Sequence, residues 1–195
     1  MTKEQTDGSS CAADSTMPAT IATARHLAAK SHAVAVNAGW WHDIETGDRV
    51  ERNRGELLCL IHSEISEAFD AEMARSADDK LPHRSGAEVE LADTFIRVCD
   101  YAGAFGHDPI PPQLIMHRGV SWAELHSLTS DIMELERKGL AGVELALRRL
   151  TLAIFTMSDR RGFDLLGAVR EKLAYNEQRA DHKPENRRAA GGKKF

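Results

Sequence analysis

Glu56-Leu57-Leu58-Cys59-Leu60-Ile61-His62-Ser63-Glu64-Ile65-Ser66-Glu67 and, further on, Val89-Glu90-Leu91-Ala92-Asp93-Thr94-Phe95-Ile96-Arg97-Val98-Cys99-Asp100 decide how the chain reads. In the first run Leu57, Leu60, Glu64, Glu67 and Ala71 recur at steps of three and four, the spacing of one helix face. That face begins apolar and turns acidic at Glu64 and Glu67. In the second, Glu90, Asp93, Arg97 and Asp100 keep the same steps beside an apolar stripe of Val89, Ala92, Ile96 and Cys99. Two consecutive helices therefore carry Glu-x-x-Glu and Glu-x-x-Asp on their inward edges. Unpaired charge is very costly to bury. A hard divalent cation would account for the pattern, because oxygen-only clusters suit magnesium or manganese.

Working outward, 195 residues suffice for one domain with a sizeable core. Charged residues make up 28% of the chain and the net charge is −5, which disfavours a nucleic-acid-binding protein. No run of alternating β-branched residues stands out, so the expected class is all-α, a bundle of about six helices. Cys11, Cys59 and Cys99 are widely spaced and form no Cys-x-x-Cys pair, which argues against zinc or a disulfide framework. Cys59 and Cys99 sit in apolar helical runs and are expected in the core. With no apolar run near twenty residues and a polar stretch at 1–16, neither a membrane span nor a secretory signal is expected, and the expected location is cytoplasmic.

In chain order, 1–16 reads as a disordered polar tail and 17–181 as one catalytic domain. The first helix is expected from Pro18 to Asn37. Trp40 and Trp41 follow Gly39 in a loop, then His42-Asp43 and a turn around Thr46-Gly47-Asp48. The tryptophans either plug the end of the bundle or offer a flat wall on which a nucleobase stacks. The second helix is expected over Asn53–Arg75 with Asn53 as cap, the third over Gly86–Phe105. Ser121 and Glu124 form a capping box that opens a fourth helix, ended by Gly139. A fifth runs from Leu140 to Met157 and a sixth from Phe163 to Ala180. Glu56, Asp70, Glu72 and Glu88 are expected in solvent, and His62 lies off the acidic face. A basic tail, 182–195, closes the chain.

The sixth helix places Val169, Lys172, Asn176 and Arg179 on one face, a third seam that turns from apolar to polar. Acids around magnesium facing Lys, Asn and Arg describe a polyphosphate site. Metals bind and polarise phosphate, and a carboxylate can take a proton from the attacking water. Lys172 and Arg179 neutralise phosphate charge, and Asn176 bonds a phosphate or ribose. Arg97 is either a further phosphate ligand or a structural partner of Asp93 or Asp100.

The run from Gly39-Trp40-Trp41 through Glu64-Ile-Ser-Glu67 to Glu90-Leu-Ala-Asp93 resembles the MazG-like all-α nucleoside triphosphate pyrophosphatases. The ending Glu171-Lys172-Leu-Ala-Tyr175-Asn176-Glu-Gln-Arg179, with His182 and Gly192-Lys193-Lys194-Phe195, is similar to the phage and bacterial branch. The resemblance covers roughly residues 39–105 and 165–195. It implies Mg2+-dependent cleavage of a nucleoside triphosphate between the α and β phosphates, with Mn2+ as a substitute. The enzyme would act on the nucleotide or deoxynucleotide pool, purine deoxynucleotides in a phage being one setting. Glu64, Glu67, Glu90 and Asp93 map onto the metal ligands, and Lys172, Asn176 and Arg179 onto phosphate- and sugar-side contacts. The resemblance also implies a homodimer or homotetramer that completes a four-helix core. The segment 109–158 is longer than the family core needs; it covers the site, builds an interface or extends the bundle.

Three rivals are weaker. A ferritin-like di-metal centre needs Glu-x-x-His, and neither Glu64 nor Glu90 has a histidine three residues on. An HD-type phosphohydrolase would use His42-Asp43, which lie in a loop without a well-placed second His/Asp set. A non-enzymatic interaction protein requires Glu64, Glu67, Glu90 and Asp93 to point outward.

Overall fold

The computed structural model describes residues 13–115, 119–180, 183, 186 and 187, with side chains described from residue 17 onward. The described residues form six helices: α1 (Ala13–Asn37), α2 (Arg54–Ala74), α3 (Gly86–Phe105), α4 (Trp122–Lys138), α5 (Val143–Arg161) and α6 (Leu165–Gln178). They contain no strand, only isolated bridges His42–Arg49 and Ala77–Ser85. The protein is an all-α bundle, and no described helix is long and apolar enough to cross a membrane.

Local chemistry sets the helix ends. Asn53 Oδ1 accepts from Glu56 N, Ser85 Oγ from Glu88 N, Ser121 Oγ from Glu124 N and Asp164 Oδ1 from Gly167 N, each satisfying an amide that the helix leaves unpaired. Gly106, Gly139 and Gly162 stop α3, α4 and α5 in left-handed conformation. Helix α5 begins at Val143, later than Leu140, because both Gly139 and Gly142 take positive φ (63° and 109°) and the chain between them is not helical. Helix α1 begins earlier than expected, so Pro18 lies inside it and residues 13–16 are not a coil tail. Residues 1–12 and most of the basic tail lie outside the described residues.

Helix α3 is the hub, touching α1, α2, α5 and α6, while α4 bridges α2 and α5. Its interior side chains Val89, Leu91, Phe95, Val98 and Ala102 are fully buried. One core cluster draws on all six helices, including Ala24, Leu58, Phe95, Ile132, Leu147 and Leu173. Burial on this scale is the main favourable contribution to folding. Helix α1 approaches α3 at Gly103, where an added Cβ would lie 2.8 Å from His32 Cβ. The 109–158 segment extends the bundle: α4 and α5 pack on α2 and α3, away from α1 and α6.

Several expectations are corrected here. Cys59 is exposed, and only Cys99 of the described cysteines is buried. Glu88 is buried, accepting from Arg84 Nη1 at 2.7 Å and from Asp164 N at 2.8 Å. Glu72 accepts from Arg161 Nη2 at 3.0 Å and from the Trp122 indole. Each acid has a partner far away in sequence, Arg161 for Glu72 and the Asp164 amide for Glu88, which residue spacing does not reveal.

Candidate functional site

Lys172 reaches the acidic face of α3 because α6 is tied there by arginine. Arg84, in the loop before α3, donates to Glu171 Oε1 at 2.8 Å and to Glu88 Oε1 at 2.7 Å, and lies 3.3 Å from Asp164 Oδ2. Fork-shaped pairing of this kind is directional as well as attractive. Glu171 and Asp164 belong to α6 and its cap, so the next residue, Lys172, turns over α3. Its Nζ lies 2.7 Å from Asp93 Oδ2, with side chains only 8% and 16% exposed.

Carboxylate oxygens of Glu64, Glu90 and Asp93 lie within 4.8 Å of one another. The cluster has two cationic partners for three acids: Lys172 on Asp93, and Arg97, whose Nε donates to Glu64 Oε1 at 2.9 Å. Arg97 thus pairs with neither Asp93 nor Asp100. Burial first, then repulsion from Asp93, pushes the Glu90 carboxyl up to about 8. Burial likewise raises Asp93 to about 6, against the opposing pull of Lys172. Acids that retain protons near neutrality are short of positive charge. An oxygen-only donor set of this size fits a hard divalent cation.

These residues open into a cavity of about 430 Å³, within the range of small-molecule sites. Helices α1, α2, α3 and α6 and the loops between α1 and α3 supply its walls, and no described residue of 109–158 lines it. Of the residues singled out from the sequence, Glu64, Glu67, Glu90, Asp93, Arg97, Lys172, Asn176, Arg179 and Trp40 all line it. Glu67 stands apart from the acid triad: it is exposed and accepts from Ser63 Oγ at 3.0 Å. Asn176 Oδ1 is buried without a hydrogen-bond partner among the described residues, an acceptor that bound ligand would satisfy.

Trp41 is a correction. It is buried, does not line the cavity, and packs edge-on against His32 and Phe105. Its Nε1 donates to Asp100 Oδ1 at 2.9 Å, and His32 Nδ1 lies 2.7 Å from the same oxygen. Trp41→Phe should cost about 1–3 kcal/mol in urea unfolding, because the buried carboxylate loses a donor; an unchanged midpoint would show that the bond contributes nothing. Trp40, by contrast, lines the cavity and carries the Arg187 guanidinium over its ring at 3.7 Å.

Residue spacing missed Ser31, Arg52, Asp79 and Lys80, which also line the cavity, while Asp100, placed on the α3 seam by spacing, lines it too. Asp79-Lys80 lie in the loop between α2 and α3 and pair with each other at 2.6 Å; two adjacent charges in a loop have no periodicity to mark them. His62 is off the acidic face as expected, stacked on His126 of α4 with Nδ1 atoms 2.8 Å apart. His42 and Asp43 line a second hollow with Arg52, Glu56 and Arg187.

The raised Glu90 carboxyl has a consequence for stability. Folded protein holds the proton more tightly than unfolded chain, so its ionisation opposes folding. That penalty grows from about pH 4.5 to about pH 8. Glu90→Gln should therefore raise the melting temperature of metal-free protein more at pH 8 than at pH 5; a shift of equal size at both would exclude charge as the cause.

No protein-family model, curated protein or solved structure matches the chain.

Proposed function

We propose that the protein is a Mg2+-dependent nucleoside triphosphate pyrophosphohydrolase, as the sequence resemblance to the MazG-like family implies. The observation that carries this reading is the opposition, within one cavity, of the Glu64–Glu90–Asp93 triad to Lys172, Asn176 and Arg179. Glu64, Glu90 and Asp93 would hold the cation. Bound magnesium would neutralise phosphate charge and make water a better nucleophile. Water adds to the α-phosphorus, the bond to the α–β bridging oxygen breaks, and monophosphate and pyrophosphate leave. Glu67, held by Ser63 at the cavity wall, takes the water proton at its carboxylate. Arg97, Lys172, Lys80 and Arg179 offset the negative charge on the phosphates, an effect strengthened where water is excluded. Asn176 Oδ1 accepts from a sugar hydroxyl, and the base rests on Trp40. The inward placement of the triad disfavours an acidic docking face for a basic partner protein.

The test is a panel of ribo- and deoxynucleoside triphosphates with Mg2+, Mn2+ or EDTA, scored separately for pyrophosphate and orthophosphate. Metal-dependent pyrophosphate with equimolar monophosphate is expected. Release of orthophosphate alone, or no turnover on any member, would overturn the proposal.

A further inference from the structure

We propose that Arg187 is a positioning residue: it clamps Trp40 from behind, so that the C-terminal segment sets the nucleoside end of the cavity. This rests on the nucleotide reading above. Trp40 and Arg52 line both the acid-triad cavity and the hollow beside His42 and Asp43, whereas Arg187 lines only the latter. The indole is thus a partition, with Arg187 on the side away from the acid triad. The guanidinium lies 3.7 Å over the ring, and its Nη1 donates to Ala38 O at 2.8 Å. Ala38 is itself a wall of the acid-triad cavity. One arginine therefore grips both the ring and the backbone just before it.

Arg187 is 4% exposed, and a desolvated cation over an indole is held more strongly than one in water. Burial, with Arg52 near, lowers its pKa from the usual arginine value, so the contact persists at a local electrostatic cost. The segment is anchored locally: Arg187 N donates to Lys183 O at 3.0 Å, and Asn186 Nδ2 to Ala180 O at 2.6 Å. Ala180 follows directly on Arg179, a residue of the acid-triad cavity. The same short stretch thus serves the phosphate-side arginine and the wall for a flat aromatic ligand. A loose indole would lose stacking on the base without disturbing the acid triad, so the effect belongs in substrate affinity rather than in the chemical step.

The experiment uses full-length protein in a Trp122→Phe background, which leaves Trp40 and the buried Trp41 as fluorophores. Acrylamide quenching is measured without nucleotide, and KM and kcat with the best nucleoside triphosphate of the panel. Arg187→Ala should raise the quenching constant about threefold and KM about tenfold, with kcat within about twofold. Arg187→Lys keeps the charge but not the planar stack, and should recover only part of both losses. Wild-type quenching in Arg187→Ala, or a fall in kcat at constant KM, would overturn the clamp. If Arg187→Ala fails to fold by circular dichroism, Arg187→Gln is judged by the same criteria. Increased quenching together with no turnover in the parent protein would keep the clamp and remove the nucleotide reading instead.

Discussion

Asp93→Asn is expected to lower Mg2+-dependent pyrophosphate release by about 10³-fold while leaving the helical fold intact. Asp93 is where the two halves of the site meet: it belongs to the acid triad and accepts the Lys172 ammonium at 2.7 Å. An amide of the same shape can still accept from Lys172, so packing is kept. What is lost is one of three charges available to a cation. The folded protein should not be weakened, because Glu90 also faces Lys172 and, freed of repulsion from Asp93, ionises more readily to compensate the ammonium. Pyrophosphate release measured at saturating Mg2+, beside the thermal melt, separates the two effects. Turnover above a tenth of the parent rate would place the cation elsewhere; a collapsed melt would make the loss structural.

Lys172→Met should destabilise metal-free protein by about 3 kcal/mol at pH 8, because breaking a buried ion pair leaves the remaining charge uncompensated. Lys172 exerts the largest lowering influence on Asp93, so its removal raises the Asp93 carboxyl still further. Below that raised value Asp93 is neutral and needs no partner. The loss should therefore shrink as pH falls and be small at pH 5. Mg2+ at millimolar concentration should restore much of the stability at pH 8, since a bound cation replaces the missing ammonium and binds only folded protein. Urea unfolding in EDTA and in Mg2+, at both pH values, reads all of this. Equal loss at pH 5 and pH 8 would assign Lys172 to packing alone, and no recovery with Mg2+ would remove the cation from the triad.

Both expectations depend on helix faces that residue spacing already carries. Steps of three and four assign Glu64 and Glu67 to one side of α2, and Glu90 and Asp93 to one side of α3, because a helix returns to the same face every 3.6 residues. The caps at Asn53, Ser85 and Ser121 and the stops at Gly106 and Gly139 are equally local. Charges that pair across long separations have no such signature. Glu72 with Arg161 and Glu171 with Arg84 carry no mark of their pairing in isolation and are bonded in the fold. Cys59 and Cys99 occupy similar apolar runs, yet only the one on α3 is buried, because α3 is packed on several sides and α2 is not.

By itself, the sequence determined the all-α class, the main helices and the facing of the acidic and cationic seams, since these follow from periodicity and capping over a few residues. Only the tertiary structure decided that Glu64, Glu90 and Asp93 converge while Glu67 stands apart, and that Trp40 faces the cavity while Trp41 is spent on Asp100. Those outcomes depend on where helices meet and how a loop turns between them. They are set by packing among residues tens of positions apart, here by Arg84 holding α6 over α3, which no local pattern encodes.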